Sequence, residues 1–276
     1  MHYRHGLQLA LLMLLGFAVA SRAASPAPAY DTALMLAVDV SDSVDEARYR
    51  LQMDGIAAAL EDPAVIATIT GGARGGILLA MTAWDDHPHL ALPWTGVRSA
   101  GDAAKVAARI RALPRRTGQF TCMARMMRFL AEEIVPDVRG QAARVVVDVS
   151  GDGPDNCNPY PATSAARDAL VAAGATVNGL PIIEGEDRIV GQGAFRAPGE
   201  PFRATLDEAI PRGGGEPMRL EPWYREHVVG GDAAFLIAAQ GYDDFARAFR
   251  RKFVMEISSR EPAARAGSPG YFRAFR

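Results

Sequence analysis

From Leu34 onward, apolar runs of strand length alternate with stretches in which apolar residues recur every three or four positions. That alternation predicts a mostly parallel sheet covered by helices on both faces. Leu34–Val38 and Ile77–Trp84 read as buried strands, and the helix between them, Val44–Leu60, carries the stripe Tyr49, Met53, Ile56 and Leu60. His89–Trp94 reads as a short strand paired back, and Asp102–Leu113 as a helix that Pro114 ends. Cys122–Val135 has the clearest helical pattern, with Met123, Met126, Met127, Leu130 and Ile134 on one face. The strand Val145–Val149 is β-branched except for Asp148. A helix over Thr163–Ala173, a strand over Thr176–Ile183, a short helix over Pro222–Val228, a last strand over Ala234–Ala239 and an amphipathic helix over Asp243–Ile257 follow. The expected fold class is α/β, a doubly wound, mostly parallel six-stranded sheet with helices on both faces.

Three stretches fall outside the alternation. Arg4 and His5 precede an apolar run from Leu7 to Ala20 and the small-residue stretch Ser21, Arg22, Ala23. Residues 1–23 therefore read as a secretory signal peptide, too short in its apolar part to span a bilayer comfortably, and the mature chain as periplasmic or secreted with no membrane span. Glu184–Met218 reads as a long loop rich in Gly and Pro, of a length that is uncommon in compact domains. It leaves the sheet at the edge where the oxygen-rich turns described next lie, and two readings stay open for it: a flank of a ligand site, or a spacer. Residues 260–276 read as a frayed tail.

Composition narrows the partners. A 49% hydrophobic fraction with mean hydropathy near zero excludes disorder as the main state, and a net charge of −2 leaves no electrostatic footprint for nucleic acid or an anionic membrane. Lys105 and Lys252 are the only lysines among 30 basic residues. The two cysteines, Cys122 and Cys157, are expected to pair in an oxidising compartment.

Candidate chemistry concentrates where strands end. Asp39, Ser41 and Ser43 stand at alternate positions after the first strand, at the carboxyl edge where open α/β sheets bind ligands, and supply hard oxygen donors of the kind Mg2+ takes. Ser150-Gly151-Asp152-Gly153 forms a second oxygen-rich turn, its glycines letting the backbone bend and expose Asp152. Thr121, at the start of the Met-striped helix, is a third donor; it also suits a helix cap, and Thr117 competes for the same role. The expected disulfide would hold the Thr121 and Asp152 loops together.

In order and context these residues resemble the von Willebrand factor A fold, whose metal-ion-dependent adhesion site has Asp-x-Ser-x-Ser after strand one, a Thr in a later loop and an Asp after strand four. The resemblance covers about Asp31–Ser259. The phrases Leu36-Ala37-Val38-Asp39-Val40-Ser41 and Asp148-Val149-Ser150-Gly151-Asp152-Gly153-Pro154 are similar to a bacterial, signal-bearing A-domain family of unknown function. The resemblance implies that Ser41, Ser43 and Thr121 bind a metal through hydroxyls, that Asp39 and Asp152 act directly or through water, and that one position stays open. It implies Mg2+, with Mn2+ or Ca2+ as substitutes, and a protein partner that offers an Asp or Glu side chain. Asp42 is a departure: inside the motif it either points to solvent or adds negative charge beside the metal. The competing reading is a metal-free structural or interaction module.

Enzyme readings fare worse. An aspartyl-nucleophile phosphatase needs a second Asp where Ser41 stands, and an EF-hand fails at Val44 and Arg50. No Gly-x-Ser-x-Gly elbow is present for a serine hydrolase. Asp85, Asp86, His87 and His89 read as a solvated turn rather than a zinc site, and Gly71–Gly76 as a turn rather than a phosphate cradle.

Overall fold

The computed structural model describes residues 27–116, 118–157, 160–184, 189–190 and 218–258. Expectations for residues 1–23, for most of 184–218, for Thr117 and for the tail lie outside them. Five strands, β1 (Tyr30–Asp39), β2 (Ile77–Trp84), β3 (His89–Val97), β4 (Ala142–Gly151) and β5 (Ala175–Pro181), form one sheet in the order β3-β2-β1-β4-β5. All neighbours are parallel except β3, which pairs antiparallel with β2. The chain order reverses direction between β1 and β4, so the carboxyl ends of those two strands flank the topological switch point of a doubly wound sheet.

Among the described residues seven α-helices cover both faces: α1 (Glu46–Glu61), α2 (Pro63–Thr70), α3 (Ala100–Arg111), α4 (Met123–Phe129), α5 (Tyr160–Ala172), α6 (Leu220–His227) and α7 (Phe245–Ser258). Because side chains alternate along a strand, Leu34, Leu36 and Val38 of β1 pack with α1, α3 and α7, while Met35 and Ala37 pack with α4, α5 and α6. Burial on both faces explains why the central strands are apolar throughout. Among the described residues no helix is long and apolar enough to cross a membrane.

Three elements depart from expectation. The helix α2 was hidden inside one apolar stretch, yet its start is specified: Asp62 Oδ1 accepts the Ala64 amide at 2.8 Å and Pro63 occupies the first turn. The long helix expected over Cys122–Val135 is regular only to Phe129; the next turn widens, the Val135 amide donating to the Leu130 carbonyl, and gives way to a tighter 3₁₀ turn over Val135–Val138. Pro136 supplies no amide and its ring crowds the carbonyl four residues back, which accounts for the break.

The sixth strand is the third departure. Residues 234–239 run beside β5 and touch it only at isolated bridges, Gly179 with Leu236 and Ile182 with Ala239, so the sheet has five strands rather than six. Gly179 exchanges both its bonds, with Phe235 and Ile237, and Ile183 donates to Ala239. Between those contacts a continuous ladder needs an amide from Pro181, which has none. In the long loop, Ile189–Val190 pairs antiparallel with Met218–Arg219 as a two-residue ribbon.

Beneath the face covered by α7, Asp148 of β4 breaks the β-branched run for a reason. Lys252 Nζ lies 2.5 Å from its carboxylate, and the same ammonium pairs with Glu256, whose Oε1 accepts from Asn178 Nδ2 at 2.9 Å. All four side chains are buried. Burial, then the Asp148 charge, pushes the Glu256 carboxyl up to about 7 from an ordinary 4.5. A carboxyl that holds its proton more tightly when folded stabilises the fold fully below 4.5 and loses that contribution as pH rises through about 7. Unfolding free energy should therefore fall across that window, and Glu256→Gln should flatten the slope, as measured by urea melts at a series of pH values.

Candidate metal centre

At the switch point, β1 ends in Asp39, fully buried, and the chain turns at once: the Ser41 amide donates to Asp39 Oδ1 at 2.8 Å. This turn places Ser41 and Ser43 side by side, their hydroxyl oxygens 3.3 Å apart. Asp45, and not the serines, caps α1 by accepting the Arg48 amide at 2.8 Å, which leaves both hydroxyls free for other work. Gln52 of α1 reaches back to the Asp39 carbonyl at 3.3 Å and fixes the strand end. Asp42, the residue out of pattern, is exposed.

The second turn brings Asp152 to the first. Ser43 Oγ donates to Asp152 Oδ1 at 2.7 Å, a contact across 109 residues of sequence. Thr121 completes the group, its Oγ1 donating to Ser41 Oγ at 3.2 Å. Thr121, Ser41, Ser43 and Asp152 thus form one connected chain of oxygens, with Asp39 held beside it by the Ser41 amide. Thr121 does not cap α4. The first turn of that helix is satisfied by Asp155, whose Oδ2 accepts the Ala124 amide at 2.7 Å.

The third loop is fixed to the second by covalent and polar contacts. A disulfide joins Cys122 and Cys157 with their Cα atoms 5.1 Å apart. Thr121 and Asn156 exchange hydrogen bonds, the Thr121 amide to Asn156 Oδ1 at 2.8 Å and the Asn156 amide to the Thr121 carbonyl at 3.1 Å. The sequence singled out neither Asp155 nor Asn156; the signal was their place in the same Gly-, Pro- and Asx-rich loop as Asp152.

Electrostatically the centre is unbalanced. Burial, and then the neighbouring Asp152 charge, hold the Asp39 carboxyl well above the ordinary carboxylate range. Asp39 Oδ2 is buried and accepts no hydrogen bond. Among the described residues no lysine or arginine bonds to either carboxylate. A buried, unpaired acceptor is costly unless something positive meets it, and two carboxylates with three hydroxyls make an all-oxygen set suited to a hard divalent cation. The residues present therefore fit such an ion.

Close approach at this point depends on Gly151. A Cβ there would come within 2.8 Å of the Tyr224 hydroxyl, 2.9 Å of Asp39 Oδ2 and 3.3 Å of Asp39 Cβ. Beside the centre, Arg48 donates to the Ser43 carbonyl at 2.5 Å and pairs with Glu184, the first residue of the long loop. These two line an open groove of about 630 Å3 together with Asp45 and Tyr242. On the adjacent strand end, Asp85, Asp86 and His87 bring ligand atoms within 4.8 Å of one another. Asp85 accepts the His87 amide at 2.6 Å and Asp86 the Gln119 amide at 3.1 Å, so both carboxylates serve the loop.

A family model described as "Protein of unknown function (DUF1194)" matches residues 29–261. The chain belongs to this family. No curated protein matches the sequence. Among solved structures, proximal thread matrix protein 1 from the mussel byssus is similar over 83% of this chain and 48% of its own, at 13% identity and a TM-score of 0.55. The same protein with a zinc-occupied MIDAS motif matches 84% of this chain and 49% of its own, at 15% identity and a TM-score of 0.52. The conserved hypothetical protein BatB from Bacteroides thetaiotaomicron matches over 83% of this chain and 100% of its own, at 14% identity and a TM-score of 0.52. This chain spans about half the length of the mussel protein it matches. At such identities the likeness shows the fold, and the fold of this family member is that of von Willebrand factor A domains.

Two variants test how the centre is built. Gly151→Ala should destabilise the protein by about 1–3 kcal/mol, because a Cβ must displace the Asp39 side chain or the Tyr224 hydroxyl. Replacing both cysteines by serine should cost about 3–4 kcal/mol in the chain-entropy view of a loop of this size. Urea denaturation of each variant beside the wild type reads both effects.

Proposed function

We propose that this chain is an exported, metal-dependent protein-binding module, holding an acidic group of a partner through a Mg2+-like ion. The observation that carries the reading is the buried, unpartnered Asp39 Oδ2 beside a second buried carboxylate and three hydroxyls, these donors coming from three loops. Asp39, Ser41, Ser43, Thr121 and Asp152 would hold the ion, Mn2+ or Ca2+ being its substitutes. When bound, it would supply a Lewis-acidic position for an oxygen ligand, and two carboxylates among neutral donors would leave it electropositive enough to prefer a carboxylate. The zinc-occupied motif of the mussel protein supports a divalent ion in a site on this fold.

The chain's own residues prepare the partner's approach. Asp42, the residue out of pattern, is exposed, so solvent screens its charge. Export is supported by the N-terminal apolar segment and by the disulfide, since such bonds persist in oxidising compartments. The reading is of binding rather than catalysis: the Asp39 motif carries Ser41 where a phosphatase needs its acid.

Isothermal titration of the purified chain with Mg2+ or Mn2+ should give saturable binding, and Asp39→Ala should abolish it while leaving the fold intact by circular dichroism. Pull-down with and without a chelator should then show a partner retained only in the metal-loaded state. A wild-type chain that takes up neither ion removes the basis of this function.

A further inference from the structure

A tyrosine hydroxyl from the C-terminal part of the chain bonds to Asp152, a second lies near Asp39, and neither tyrosine belongs to the motif. Tyr242, in the turn before α7, donates to Asp152 Oδ2 at 3.1 Å. Its ring is pinned from the other side by Arg48, whose guanidinium lies 5.3 Å from the ring centroid. Tyr224, on α6, is fully buried, and its hydroxyl has no hydrogen-bond partner among the described residues. That hydroxyl lies 2.8 Å from the point where Gly151 would carry a Cβ, and Asp39 Oδ2 lies 2.9 Å from the same point. Two oxygens this near one point can share a bridging water or the surroundings of one ion.

The phenols are not explained by packing. A phenylalanine would fill the place of Tyr224 without burying an unpaired hydroxyl, which costs stability that the hydrocarbon ring does not. The Tyr242 hydroxyl meets Asp152 from outside the ring of Ser41, Ser43 and Thr121, and the Tyr224 hydroxyl lies near the unpartnered oxygen of Asp39. Resting on the metal reading above, we propose that Tyr224 and Tyr242 are positioning residues for the ion: their hydroxyls orient Asp39 and Asp152 and draw charge from them, so that the bound ion remains electron-poor toward an acidic partner. Groups that hydrogen-bond to metal ligands act in this way, fixing ligand orientation without touching the metal. A phenol keeps its proton well above pH 7, and toward an ionised carboxylate, which only accepts, it acts as the donor. The centre then draws on five segments of chain rather than three, and two of them come from beyond the long loop.

The test titrates the full chain with Mg2+ and then Mn2+, using wild type, Tyr224→Phe, Tyr242→Phe and the double variant. Each is also followed by the tyrosine ultraviolet difference spectrum on metal addition and by its metal-free melting temperature. Each single variant should bind about tenfold more weakly, the double variant more weakly still, and the difference spectrum should diminish with each hydroxyl removed. Metal-free melting should stay at or above the wild-type value in Tyr224→Phe, whose hydroxyl is unpaired, and fall in Tyr242→Phe, which loses its bond to Asp152. Wild-type affinity in both single variants overturns the proposal. So does a weakened affinity accompanied by a lowered metal-free melting temperature and an undiminished difference spectrum, the pattern of a purely structural hydroxyl. A wild-type chain that binds no metal is a different result: it overturns the site reading itself, and this proposal with it.

Discussion

Two negative charges are forced together at the end of β1 and β4, in a place that solvent barely reaches. Asp39 is wholly buried and Asp152 nearly so, and their mutual repulsion raises the Asp39 carboxyl beyond what burial alone does. Most features around the switch point answer that constraint. The Ser41 amide, the Ser43 hydroxyl and the Tyr242 hydroxyl each donate to one carboxylate oxygen, which leaves Asp39 Oδ2 as the single unanswered one. Gly151 keeps the backbone thin where these groups crowd.

The same strand carries a second acidic group, and the contrast between the two is informative. Asp148 and Glu256 also sit in the dry interior, but there the chain supplies its own cation, Lys252, one of only two lysines it has. There the ammonium lies against both carboxylates, and Asn178 adds a hydrogen bond to Glu256, tying β4, β5 and α7 together. Asp152, four residues after Asp148, has no lysine or arginine bonded to it among the described residues. Two buried acidic sites on one strand thus differ in whether the chain supplies a cation of its own.

The central strands were legible because a sheet buried on both faces is written as continuous apolar runs, and Leu34–Val38, Ile77–Trp84 and Val145–Val149 fall within β1, β2 and β4. The oxygen-bearing turns were legible too, since Asp39, Ser41, Ser43 and Asp152 sit just past strand runs and Thr121 just before the Met-striped helix, and folding brings all five together. What stayed hidden depends on neighbours distant in sequence. Pro181 spoils a sixth strand only because the register sets its missing amide opposite residues 234–239. Pro136 lies one residue past the Met-striped region, and its effect reaches back a full turn. Tyr224 and Tyr242 carried no signal, because a sequence does not say which way a hydroxyl points. Asp148 was visible as an interruption, but its partner Lys252 lies about a hundred residues away.

Asp155 carries one further consequence. The regular part of α4 is only seven residues long, and its first turn is closed by a carboxylate from the loop after β4 rather than by a residue of its own. A helix this short cannot persist alone in water. Its first turn is therefore held only where the loop after β4 is in place, so whatever loosens that loop also loosens α4 and the Thr121 hydroxyl beside it.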